Sequence, residues 1–179
     1  MKKFLIYISV ILICFSGIAF FSAPGRCLEG TEYQIKAAMI VNFIQFVEWP
    51  DDPDLPRESL VIGIIGKNTF GDAFDHIEGR IVNGKQLILK RFASLEGLNK
   101  CQVLFVPASE SYRMYEILKS VSGYPVLTIG ETDGFIRLGG IIRFYLEENH
   151  IRFEINKNAA LDSNLKISAK LMEIARVIG

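Results

Sequence analysis

The chain has 179 residues, half of them apolar and 22% charged, with 13 Phe, 6 Tyr and one Trp. That is ample material for a packed core and excludes disorder and low complexity. Twenty basic residues balance twenty acidic ones, so no excess of positive charge is there to track nucleic-acid phosphates.

Lys2 and Lys3 precede eighteen uncharged, mostly apolar residues, Phe4 to Phe21, and then Ser22, Ala23, Pro24 and Gly25. This order reads as a signal peptide over residues 1–25 and predicts export, with one domain of about 154 residues, 26–179, left behind. Ala23 and Gly25 permit cleavage before Arg26, and Gly17 with Ala19 an earlier cut. A retained anchor is the alternative, since eighteen apolar residues are just long enough to cross a bilayer. Ile13 and Arg26, which precede Cys14 and Cys27, are too large for lipoprotein processing. Loss of the leader removes Cys14 and leaves Cys27 and Cys101, a pair that an oxidising compartment can join in a disulfide. The other reading of Cys101 is a small buried hydrophobe at the start of a strand.

Apolar residues at 33, 37, 40, 41, 44 and 47 predict a helix over Tyr33–Val47, closed by Trp49-Pro50. Asp51 to Glu58, with Pro53 and Pro56, reads as a surface loop. The unbroken run Leu60–Gly66 predicts a strand covered on both faces, with a short helix over Phe70–Ile77 behind it. Further strands are expected at Lys85–Phe92, Gln102–Val106 and Pro125–Ile129, with a helix at Ser111–Ser120. Two more apolar stretches, Ile141–Leu146 and Ile151–Ile155, predict an antiparallel hairpin turning at Glu148-Asn149 and closing one sheet edge. A last helix is expected over Leu165–Val177, with apolar residues at 165, 169, 172 and 175 on one side. Strands alternating with helical segments make this a single three-layer α/β domain, a largely parallel sheet flanked by helices, with the hairpin and the terminal helix at its end.

The chemistry is sparse. His76 and His150 have no second His, Cys or carboxylate at a metal-ligand spacing, and no Gly-x-Ser-x-Gly elbow is present, so no catalytic residue, metal or cofactor is predicted. Gly63-Ile-Ile-Gly66 runs into Lys67-Asn-Thr-Phe-Gly71 like a phosphate-binding turn, but the spacing fits neither nucleotide fingerprint, and the glycines read as backbone requirements. Glu131, Asp133, Phe135 and Arg137 lie just beyond a strand, where open α/β sheets place their binding loops, and form a candidate protein-contact surface; the other reading tucks Phe135 inward. If that loop is the contact, Phe135→Ala with Arg137→Ala weakens capture of the partner without lowering the melting temperature. Lys166 and Ser168, at the start of the last predicted helix, are a candidate small-anion site, with Asn164 as the cap.

Asn42-Phe-Ile-Gln-Phe-Val-Glu-Trp-Pro50, Ile62-Gly-Ile-Ile-Gly66 with Phe70-Gly71, Val126-Leu-Thr-Ile-Gly130 with Gly134-Phe135, Gly139-Gly140, Ile151-Arg-Phe-Glu-Ile-Asn156, Leu165-Lys-Ile-Ser168 and Leu171-Met172 together resemble the YfiR-like family. The resemblance runs from about Thr31 onward. It implies a periplasmic α/β protein without catalytic activity that binds the periplasmic domain of an inner-membrane diguanylate cyclase and represses cyclic di-GMP synthesis, and with it biofilm formation. It also implies an outer-membrane lipoprotein partner that relieves the repression, and a homodimer. Family members often carry paired cysteines within the domain, whereas here Cys101 stands there alone and Cys27 precedes it, which puts redox control in doubt. A periplasmic small-ligand-binding sensor subunit is the alternative function, with its pocket at the loop end of the sheet or at Lys166 and Ser168.

Overall fold

The first helix, α1 (Arg26–Gln45), begins upstream of the expected Tyr33 and stops just short of Val47. Its residues Ala37, Ile40, Val41 and Ile44 are buried at helical spacing and share one apolar cluster with Leu60, Ile62 and Ile64. The computed structural model describes the backbone of residues 26–51 and 55–179, so the predicted leader, with Cys14, lies outside the described residues. No helix among those described is long and apolar enough to cross a membrane.

Beyond α1 the chain forms β1 (Val47–Glu48), β2 (Ser59–Ile65), β3 (Ile81–Val82), β4 (Lys85–Phe92) and β5 (Val103–Val106). A 3₁₀ turn at Ala108–Arg113 leads into α2 (Met114–Ser120), followed by β6 (Leu127–Gly130), β7 (Ile142–Glu147), β8 (His150–Asn156) and α3 (Lys157–Asp162). The chain closes with β9 (Lys166–Ile167), α4 (Ala169–Glu173) and β10 (Arg176–Ile178). Eight of these strands form one sheet in the order β10-β8-β7-β6-β5-β2-β4-β3. β4, β2, β5, β6 and β7 are mutually parallel, so the fold is α/β with a largely parallel sheet, as expected. Taken in chain order these five lie second, first, third, fourth, fifth, and the direction of progress reverses between β2 and β5, the doubly wound pattern.

β2 is buried from Leu60 through Ile65, which is why it reads as a continuous apolar run. Leu60, Ile62 and Ile64 point to the α1 cluster, while Val61 and Ile65 join Leu104, Ile117 and Leu118 of β5 and α2 in a second one. The β7–β8 hairpin turns at Glu148 and Asn149 as predicted, with φ of 49° and 62°; two left-handed residues are what a two-residue hairpin turn demands.

Three expectations are corrected. Phe70–Ile77 forms successive turns rather than a helix, with Ala73 N donating to Phe70 O and Ile77 N to Phe74 O. Gly71 is left-handed, and Asn68 caps the bend through Phe70 N and Gly71 O; the apolar spacing of Phe70 and Phe74 survives because both rings pack inward. The terminal helix shrinks to the five residues of α4, since Ile167 pairs with Val47 and Arg176–Ile178 adds to β8 as a parallel strand. Pairing partners far away in sequence outweigh a helical spacing that is weak on its own. The hairpin consequently does not close the sheet: β10 lies outside it.

Candidate functional site

A doubly wound sheet offers its crevice at the switch point, here the carboxyl ends of β2 and β5, and the carboxyl end of β6 lies one strand further along. There the structure builds a cluster around Glu131, the first residue after β6. Its Oε1 accepts from the Tyr33 hydroxyl at 3.0 Å and from Ala108 N at 2.9 Å, and its Oε2 from Lys36 Nζ at 2.6 Å. Lys36 is only 4% exposed and also lies 2.6 Å from Glu32 Oε1. Burial first, and the Glu131 charge second, push the Tyr33 phenol well above the ordinary tyrosine range, so it stays a donor. Both carboxylate oxygens are therefore engaged by α1 and by the turn after β5. The cluster clamps α1 to the end of the sheet.

A cavity of about 410 Å³ opens beside this clamp, lined also by Asp133, Arg143 and Tyr145. Arg143 on β7 donates through Nε to Glu154 Oε1 at 2.6 Å and through a second nitrogen to Asp133. Tyr145 carries the guanidinium groups of Arg143 and Arg176 over its ring, at 5.5 Å and 4.6 Å from the centroid. Among the described residues no three His, Cys, Asp or Glu side chains converge as metal ligands would.

The four residues singled out for partner contact do not share a surface. Phe135 is fully buried, with its ring wedged against Gly130 and Gly140, where an added Cβ would come within 2.5 Å and 2.2 Å of it. The inward reading of Phe135 holds, and its place in a contact surface is withdrawn. Glu131 is spent in the clamp, Asp133 is exposed but engaged by Arg143, and Arg137 alone stands free on the surface beside exposed Leu138. Sequence reasoning missed Lys36, although a lysine four residues before Ile40 and eight before Ile44 sits on the apolar stripe of α1 and so signals a buried ion pair.

The sequence profile of the YfiR/HmsC-like family (DUF4154) matches residues 33–176. The chain belongs to the YfiR/HmsC-like family. Its fold is similar to the crystal structure of a conserved domain protein from Vibrio cholerae O1 biovar El Tor, with 10% sequence identity, a TM-score of 0.56 and 81% of this chain covered. The match spans 59% of that protein's chain, and at this identity it speaks to fold alone.

In this YfiR/HmsC-like chain Cys101 is a buried free thiol that donates to Leu98 O at 3.0 Å. Burial pushes it up to about 12, which leaves almost no reactive thiolate at neutral pH. Its burial is that of the small hydrophobe in the second reading; the Cys27 side chain, and with it the expected pairing, lies outside the described ones. Gly66 is a backbone requirement, whereas Gly63 makes room for the Phe92 side chain. A Cβ on Gly63 would lie 2.8 Å from Phe92 Cε2, and Gly66, at φ 75°, would drive one to 1.9 Å from Glu110 Oε1. Lys166 and Ser168 do not start a long helix: Lys166 is an exposed β9 residue and Ser168 precedes the five-residue α4 without capping it. Asn164 is the left-handed residue that closes the C-terminus of α3 and does not cap α4.

Proposed function

We propose that the protein is an exported, periplasmic, non-enzymatic regulator that binds the periplasmic domain of an inner-membrane diguanylate cyclase and lowers its output. The observation that carries this reading is family membership over 33–176. The composition of the leader supports export, and the Glu131 clamp, whose polar groups satisfy one another, supports a scaffold more than a reaction centre. Repression then acts by differential affinity: the protein binds the inactive conformation of the sensor more tightly and shifts its population. The same reading includes a homodimer and an outer-membrane lipoprotein that competes for the regulator.

On the free side of the 131–138 loop Arg137 is exposed, and Tyr115, 59% exposed, lines the same surface cleft as Leu138; Arg and Tyr are residue types that anchor protein interfaces. The test is capture of periplasmic sensor domains encoded near this protein, with cyclase activity followed in the reconstituted pair. Binding with reduced activity is expected, and weaker capture by Arg137→Ala with Tyr115→Ala. Failure of the folded protein to bind any such domain would refute the reading.

A further inference from the structure

At the carboxyl end of the sheet the strands stop unevenly. β5 ends at Val106 and β6 at Gly130, opposite Arg143, whereas β7 runs on to Glu147. The β7–β8 hairpin therefore stands out past its neighbour, and the side of β7 that faces β6 lies open beyond Arg143. Asn156 N donates to Ile141 O at 2.8 Å, so these opposed residues form a hydrogen-bonded pair, and such pairs alternate along an antiparallel ladder. By that alternation Arg143, Tyr145 and Glu147 bond to β8, and Ile142, Phe144 and Leu146 turn their main-chain groups to the other side. Up to Gly130 that side is taken by β6. Past it, the Leu146 N–H and the carbonyls of Phe144 and Leu146 have no main-chain partner among the described residues.

The cavity of about 410 Å³ runs along this edge: Phe144, Tyr145 and Leu146 line one side of it, and Tyr33, Lys36 and Ala108 the others. Its charged groups are already paired, Lys36 with Glu131 and Glu32, and Arg143 with Asp133 and Glu154, so they do not select a charged ligand. What is left over is main chain, a donor between two acceptors, with the Leu146 side chain 60% exposed beside it. Sheets usually blunt a free edge with lysine, proline or a bulge; Phe144-Tyr145-Leu146 has no such residue, and its register with β8 is unbroken. We propose that this cleft takes an extended peptide segment of a partner protein, added as a strand beside β7 on the line of β6. Its main chain pairs with Phe144 and Leu146, and an apolar side chain lies against Leu146. The site goes beyond the cyclase reading and does not depend on it.

The probe is a phage-displayed library of linear heptapeptides, panned on the purified protein. Expected are binders rich in Val, Ile, Thr and Tyr, which slow hydrogen exchange at the Leu146 amide, a group that no strand protects in the free protein. Leu146→Pro removes that donor at a position whose N–H is not part of the β8 ladder, where an edge strand tolerates proline. It should weaken the selected peptide at least about tenfold, and more than Leu146→Ala, which keeps the N–H. N-methylation of the peptide reads the same pairing with the protein unaltered: methyl groups on alternate amides should abolish binding, and on the amides between them leave it nearly unchanged. No selected peptide, a peptide held as tightly by the folded Leu146→Pro variant, or a methylation series without alternation overturns the proposal. So does self-association of the protein that Leu146→Pro abolishes, because the edge would then belong to a second copy.

Discussion

Replacing Glu131 by Gln removes the negative charge from the clamp and keeps its shape. One amide oxygen can still accept from Ala108 N and the Tyr33 hydroxyl, but the amide nitrogen then faces Lys36 Nζ, donor against donor. The loss comprises one charge-assisted hydrogen bond, about 1.5–3 kcal/mol, and part of the cost of a buried cation stripped of its partner. Full loss of such a partner costs about 3–5 kcal/mol, yet Glu32 remains 2.6 Å from Lys36 and its side chain is 31% exposed, so the expected total is about 2–3 kcal/mol. For a domain of this size that lowers the melting temperature by about 5–10 °C. Urea melts followed by circular dichroism, on Glu131→Gln, Lys36→Met and the double variant, give the coupling directly. The double variant should recover most of the loss, because the one charge then left without its partner, Glu32, is partly exposed to solvent. A loss below about 0.5 kcal/mol for Glu131→Gln, or a double variant that sums the two singles, would refute the clamp as the tie between α1 and the sheet.

Phe135→Ala should cost about 3–5 kcal/mol, the range for emptying a buried aromatic site, whereas Arg137→Ala should leave the melting temperature within about 1 °C; equal melts for the two would contradict the inward placement of the ring. Cys101 gives a pH test. Its folded value of about 12 lies above the ordinary thiol value, so the unfolded chain releases the proton first. The stabilisation is complete below about pH 8.5 and declines above it by about 1.4 kcal/mol per pH unit. Tyr33 shifts in the same direction, so the measurement is the difference between wild type and Cys101→Ala in urea melts from pH 8 to 10.5; parallel profiles would refute the burial argument.

Local signals were legible where the chain obeys them alone. Leu60–Ile65 reads as a doubly covered strand because alternate residues face two clusters, and Glu148-Asn149 reads as a turn because both accept left-handed backbone. Asn83-Gly84, with φ of 49° and 75°, is the same signal in the β3–β4 turn and was available in the sequence, since Asn-Gly between apolar pairs marks a hairpin. The segment after Leu165 was not legible: Ile167 and Val177 take their conformation from Val47 and Ile155, more than twenty residues distant for the second and more than a hundred for the first.

The functional residues divide in the same way. The order of short motifs from Asn42 to Met172 was enough to suggest the family before any fold was known. Which side chains meet was not available from that order. Glu131 and Phe135 stand four residues apart in one loop, yet one closes an ion cluster with Lys36 and the other fills a gap between Gly130 and Gly140. Leu146 reads as the last residue of an apolar strand, and only the early end of β6 leaves its main-chain groups open beside a cleft. The sequence by itself determined the α/β class, the family and the buried strands, because these rest on periodicity and motif order along the chain. Only the tertiary structure decided which polar groups are paired, buried or left over, because desolvation and hydrogen bonding depend on neighbours that the chain brings together from far apart.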